Sequence, residues 1–412
     1  MRKWMVITAM VIVSALLSAC GSSAPSGSSS AKGVVTITEM DYYSSLAAKV
    51  LTQYENQFEK SHPDIKIVRI PEPYSQLLPK VLQEATAHNL PTIVISDNLN
   101  MPTMVKLGAL EPIDKFGSVD TSQYLAGPIS TTIVNGKSYG IPVGSNDLAL
   151  FYNKTMLAAA HIAPPQTWAQ LLKDSKKLTH GHVYGFAFSA PSNEQATWQL
   201  APFLWTNGGS YTNFDSSNSI KALALWKKLV DEKGASPSVV NYSQTDVYDQ
   251  FVAGHAAMME MGPWEIPSLN TLTHIDYGIA PLPTPKLGQK VISPIGGEVW
   301  TITSDGTTQQ QRAAWTFLKW MQQKDRLVKF DNSLGYIPTF KPATAISLAT
   351  HPDLRIFADE LSYARPLFAG LGSNLPQVSK AVSTAIQSSL TGTNPAQAAK
   401  TAATNITSIL HP

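Results

Sequence analysis

Residues 251–266 read FVAGHAAMMEMGPWEI, and the change of pattern inside them decides what kind of molecule this is. The run AAMMEM (256–261) reads as a buried strand, stops at Gly262-Pro263, and is followed at once by the largest side chain, Trp264. Glycine lets the backbone turn, and proline then fixes φ and removes a donor, so Trp264 is expected on a loop at a strand's end. In α/β proteins that is where ligands bind.

The pattern on either side agrees. VVTIT (34–38) is strand-like, Leu46, Val50, Tyr54 and Phe58 recur every four residues as one helix face, and DIKIVRI (64–70) returns to strand. Leu77, Leu78, Val81, Leu82 and Ala85 give a second helical face, TIVIS (92–96) a buried strand, and Met101–Leu107 a short helix stopped at Gly108. Strand and helix in alternation predict a largely parallel sheet with crossovers. Further on, Thr167 with Gln170 forms a capping box, Gly234 follows the helical run 220–233, and Asn394-Pro395 opens the last helix. No Gly/Ser-rich linker divides this body, so two lobes must share more than one crossing. The proline-bounded segments YGIPVGSNDLALFYN (139–153) and YGIAPLPTP (277–285) are suited to that role. They divide the chain into 34–143 plus about 279–332 as one lobe, and 144–278 plus about 333–412 as the other.

The chain begins with Arg2 and Lys3 before an apolar run from Met5 to Leu17, the layout of a secretory signal rather than a spanning helix. That run ends in Leu17-Ser18-Ala19-Cys20, and Cys20 is the only cysteine in 412 residues. This resembles the lipobox of bacterial lipoproteins, which implies loss of residues 1–19 and lipidation of Cys20. Residues 20–33, rich in serine and glycine, read as a flexible tether. With no second cysteine there is no disulfide, and packing alone must hold the body together. A net charge of +2 without a basic cluster argues against nucleic acid or a strongly anionic surface as partner. Nine Trp and fourteen Tyr suggest aromatic surface devoted to binding.

The stretch FVAGHAAMMEMGPW is similar to the F..G..AM...GPW signature of the extracellular solute-binding proteins of ABC sugar importers, the maltose-binding-protein-like group. YENQFEKSHPDIKI, IPVGSNDLALFYNK, TWAQLL, LWTNGGSY, YGIAPLPTP, PIGGEVW, AAWTFLKWM and GYIPT follow the family's order from about residue 35 to the C-terminus. The resemblance implies a two-lobed periplasmic-binding-protein-like α/β fold, each lobe a mainly parallel sheet flanked by helices, joined by a multi-strand hinge. It also implies a lipid-anchored monomer that closes on a sugar in the cleft and delivers it to two permease subunits with a cytoplasmic ATPase, without a cofactor or metal.

A sugar presents C–H faces and hydroxyl edges, so its site needs aromatic planes and fixed polar groups. Trp264 is the expected platform, with Glu265 either accepting hydroxyls or facing solvent. Asp41 and Tyr42 end the first strand at the cleft edge, unless Asp41 merely precedes and caps the next helix. Asp97 and Asn98 end TIVIS at the same edge, with a turn-forming role as the alternative. By the resemblance, Asn146 supplies a polar contact from the second lobe. Trp205 is a second platform or a core residue. Gly296 and Gly297 permit close backbone approach to the ligand, with Glu298 beside them.

Two other readings stay open. The C-terminal stretch from Tyr363 also resembles the binding proteins for glycerol 3-phosphate and its diesters, but Leu371 stands where that pattern carries an arginine, leaving Arg365 as a substitute; the preference is therefore for a neutral oligosaccharide. Carboxylates near the cleft could also imitate a glycosidase pair. His180 and His182 lack partner ligands in sequence, and no nucleophile motif is present, so no metal or nucleophilic chemistry is assigned.

Overall fold

The computed structural model describes Gly33–Pro412; the signal segment, Cys20 and nearly all of the tether lie outside these residues. The first lobe is built on a five-stranded sheet in the order Ile65–Pro71, Val35–Asp41, Ile93–Asp97, Glu298–Ile302, Gly140–Pro142. Its first three strands are parallel, joined by the helices Ser45–Ser61 and Tyr74–Thr86. The helix Ser45–Ser61 buries Val50, Tyr54 and Phe58, whereas Leu46, one turn earlier on the expected face, stays 42% exposed. The other two strands run antiparallel: Glu298–Ile302 pairs Glu298 with Asp97 and Ile302 with Ile93, and Gly140–Pro142 lies outside it. The register therefore sets two carboxylates opposite one another at the sheet's edge. Further along the same face, Ile37, Ile95 and Trp300 pack with Phe58, Phe317 and Phe330.

In the second lobe, Tyr277–Ala280, Ala149–Asn153 and Met258–Met261 form a sheet whose neighbours are all antiparallel. The expected parallel order fails here for a reason of connectivity. The chain enters this lobe along Ala149–Asn153, and the two strands that flank it, Tyr277–Ala280 and Met258–Met261, both run back toward the crossing. Parallel pairing beside this sheet is limited to isolated bridges, Ala187–Met259 and Tyr184–Ala256 at its flank. The fold is α/β with mixed sheets. Around this sheet the helices Glu194–Thr206, Ser217–Asp231, Leu375–Leu390 and Pro395–Leu410 build a core on Phe186, Phe188, Phe203 and Trp226.

The capping box of Thr167 with Gln170 forms, and Asn394 caps the final helix ahead of Pro395. After Ser217–Asp231 the left-handed residue is Lys233, at φ 60°, rather than Gly234, whose missing side chain instead makes room for Ser175.

Between the lobes the chain crosses in paired strands. Asn146 and Gly296 exchange backbone hydrogen bonds of 3.1 and 2.8 Å, and Gly144–Ser145 pairs with Ile337–Pro338. Leu282 and Val291 pack in the second lobe's core, so the return crossing falls near Gly296 rather than at 279. Leu334, Tyr336 and Ala343 remain in the first lobe's core, which carries that lobe past residue 332.

Candidate functional site

Three helices begin at one place. Tyr74, Glu194 and Gln244 are the first residues of Tyr74–Thr86, Glu194–Thr206 and Gln244–Val252, and all three line a chamber of about 140 Å³. The first sheet's edge supplies Asp97 and Glu298, the crossing supplies Asn146, and Tyr42, Gln195, Trp198, Trp264 and Tyr336 complete the wall. An outer chamber of about 430 Å³ continues from it past Tyr42, Tyr74, Gln195, Gln244, Trp264 and Tyr336, adding Tyr248, Asp249 and Glu265. Ligand pockets commonly span about 300–1,000 Å³, a range the two together reach.

Trp264 follows the strand Met258–Met261 as expected, but within a short 3₁₀ turn, Pro263–Glu265. Its half-buried ring packs against three separate apolar clusters. The glycine before it serves space rather than turning: Gly262 has φ −100°, and a Cβ there would stand 1.8 Å from the Trp264 ring.

Hydrogen bonding is concentrated on carboxyl oxygens. The Tyr42 and Tyr336 hydroxyls both donate to Glu298 Oε1 at 2.7 Å. Tyr74 lies 2.9 Å from Glu194 Oε1 in the other lobe and 3.3 Å from Asp97 Oδ2. One hydroxyl carries one proton, so it donates to one of these at a time. Burial raises all three carboxyls, Glu298 and Glu194 to about 7, and Asp97 well above the ordinary range because Glu194 and Glu298 repel its charge as well. Burial and then Asp249 raise Glu265 to about 7.

Of the residues expected from sequence, Tyr42, Asp97, Asn146, Trp264 and Glu298 come together in the inner chamber. Asp41 does not reach it: Arg69 holds it at 2.5 and 2.6 Å, and the Tyr43 amide donates to it. Asn98 is buried, with Nδ2 donating to the Ile295 carbonyl, tying the sheet to the crossing. Trp205 packs in the second lobe's core, edge-on to Tyr211 at 6.0 Å. Trp198, seven residues earlier on the same helix, is the one facing the chamber. Gly296 and Gly297 make room for protein rather than ligand. A Cβ on Gly296 would meet Asn146 Oδ1 at 2.1 Å and the Trp198 ring at 2.8 Å, and one on Gly297 the Gly144 carbonyl at 2.2 Å. Arg365 is exposed on Arg365–Pro366, away from the chamber, and Leu371 is core. Sequence reasoning missed Tyr74, Glu194, Gln195, Trp198, Gln244 and Tyr336.

Two lobes with a polar, aromatic-walled chamber between them define a solute-binding protein. The chain belongs to the bacterial extracellular solute-binding protein family, whose model matches residues 53–355. It is 26% identical over 314 residues to a galactooligosaccharide-binding protein of Bacillus subtilis, covering 74% of this chain and 73% of that one. Its fold matches a solute-binding protein from Thermotoga lettingae bound with α-D-tagatose (TM-score 0.83, 25% identity, 91% of this chain and 100% of that one). It also matches UgpB of Mycobacterium tuberculosis in complex with glycerophosphocholine (TM-score 0.79, 20% identity, 90% and 98% covered), a likeness of fold alone. No helix among the described residues is long and apolar enough to cross a membrane, and none of their His, Cys, Asp and Glu side chains cluster as metal ligands.

Proposed function

We propose that this protein captures a sugar or oligosaccharide in the chamber and delivers it, chemically unchanged, to an ABC importer made of two permease subunits and a cytoplasmic ATPase. The observation that carries this reading is the composition of the wall: rings of Tyr42, Tyr74, Trp198, Trp264 and Tyr336 beside the acceptors Asp97, Asn146, Glu194, Gln195 and Glu298. Rings cover C–H faces while carboxylates and amides hold hydroxyl edges. Asp97 and Glu298 stand on the first lobe, Asn146 at the crossing, and Glu194 and Trp198 on the second lobe, so a ligand touching both lobes favours their closed arrangement, the form an importer recognises. Lipidation of Cys20 supplies the membrane anchor in this reading, the protein acting as a monomer.

A glycerophosphate ligand is the second reading, supported by the sequence pattern after Tyr363 and by the shared fold of the glycerophosphocholine complex. Against it, no Lys, Arg or His among the described residues lines either chamber, and a buried phosphate needs such a partner. Hydrolysis would use the same carboxyls as an acid–base pair. Calorimetry against maltodextrins, galactooligosaccharides and glycerophosphodiesters separates the ligand classes, and chromatography of the sugar after long incubation detects cleavage. Binding of glycerophosphodiesters alone would overturn the saccharide reading.

A further inference from the structure

Asp97, Glu194 and Glu298 share the inner chamber, Asp249 and Glu265 add two carboxyls in the outer one, and no basic residue among the described ones lines either. The carboxylate that ends the neighbouring strand, Asp41, has a cation of its own, Arg69 at 2.5 Å.

The hydrogen-bond count leaves a vacancy at one atom. The Tyr42 and Tyr336 hydroxyls both go to Glu298 Oε1. Its Oε2 is buried without a partner, in a residue 3% exposed on the chamber wall. Tyr74 serves only one of Asp97 and Glu194 at a time. A sugar hydroxyl fills a lone pair there without offsetting the repulsion these carboxyls meet when they ionise in a desolvated space. An ammonium group donates up to three hydrogen bonds and cancels charge as well. The faces of Trp198, Trp264 and the three tyrosines add attraction for a cation that a neutral hydroxyl does not receive.

We propose that the saccharide this site selects carries a protonated amine, an amino sugar or a similarly basic glycoside, seated among the Asp97, Glu194 and Glu298 carboxyls. This rests on the saccharide reading above and departs from the expectation of a neutral ligand.

A proton signature follows. Glu298 faces Tyr42, Tyr43, Tyr336, Asp97 and Asp331, and Glu194 faces Tyr74 and Asp97, none of them cationic. With both carboxyls near 7, a bound cation drives protons off them. Binding then releases protons and tightens as pH rises from about 5 to about 7.5.

Calorimetry on the full chain in mild detergent tests this with matched pairs: glucose and glucosamine, galactose and galactosamine, mannose and mannosamine, cellobiose and its diamino analogue. Maltodextrins and galactooligosaccharides complete the panel. In at least one pair the amine should bind about tenfold tighter at pH 7, with proton release measured from buffers of different ionisation enthalpy. Glu298→Gln should reduce that preference to about twofold. Equal or tighter binding of the neutral member in every pair that binds, or binding by a neutral oligosaccharide with no amine bound, overturns the inference and leaves the saccharide reading standing. No binding by any saccharide removes that reading and the inference together.

Discussion

Two neighbouring parallel strands of one sheet each end in aspartate at the same edge, and the two behave differently. Asp41 is consumed by Arg69, carried on the adjacent strand Ile65–Pro71, while Asp97 faces Glu298 across its own pairing. The tryptophans of the helix Glu194–Thr206 divide similarly. Trp198 lines the chamber, and Trp205, two turns or about 10 Å further along, is core. In both cases the neighbour, rather than the residue type, decides which member serves the ligand: a basic strand silences a carboxylate, and depth along a helix turns a platform into packing.

The sharpest way to break the comparison is to truncate both tryptophans. Trp205→Ala should cost about 3–5 kcal/mol of stability, as removal of a core aromatic does, with affinity unchanged in the folded protein. Denaturant melts and calorimetry on one preparation measure both quantities. Lost affinity at full stability would place Trp205 in the site.

The aspartates give the next effect. Asp41→Ala strands a largely buried guanidinium and should cost about 3 kcal/mol of stability without altering ligand affinity. Asp97→Asn should keep or raise stability, since a repelled charge is removed, and weaken binding about tenfold. An exchange of these outcomes would sink the distinction between the two strand ends.

Trp264→Ala comes third. Stacking of a nucleic acid base on an aromatic ring is worth about 1–3 kcal/mol, and a sugar face on this indole should lose a similar amount in affinity. The ring also touches three apolar clusters, so some apo stability should go with it, less than for Trp205. A loss of stability alone would make Trp264 a structural wedge.

The remaining effect is one of pH. Glu194 and Glu298 hold their protons to about 7 when folded, whereas an unfolded glutamate loses its proton near 4.3. Between those values the folded state binds more protons, so apo stability should fall as pH rises from about 5 to about 7 and level off above. Thermal melts across that window should show the decline, and Glu298→Gln should flatten it. A melting temperature that climbs through the window would mean these carboxyls ionise freely in the folded protein.

Much of the fold was legible in the alternation of periods from Val34 to Leu107, because each strand and helix there packs through its own local face. The antiparallel second sheet was not, since direction is set by which distant segments of the chain pair with one another. In the site, Tyr42, Asp97, Asn146, Trp264 and Glu298 stand at strand ends, crossings or a motif that sequence marks. Tyr74, Glu194 and Gln244 sit at helix starts, whose caps, Asn193 and Ser243 among them, were readable signals. Their convergence is tertiary and leaves no local trace. Trp198 was hidden because every residue from Ala196 to Thr206 is buried, so nothing in the run separates wall from core.

The indole folded back over Gly262 binds two positions into one evolutionary unit. While residue 264 is tryptophan in this pose, any side chain at 262 collides with it, so the glycine is fixed by a residue two places away. Once the tryptophan is lost, residue 262 is free to drift, and regaining the tryptophan then requires two changes rather than one. Lineages that abandon this platform should therefore seldom return to it, and in related chains glycine at the first position should be retained wherever tryptophan persists at the second.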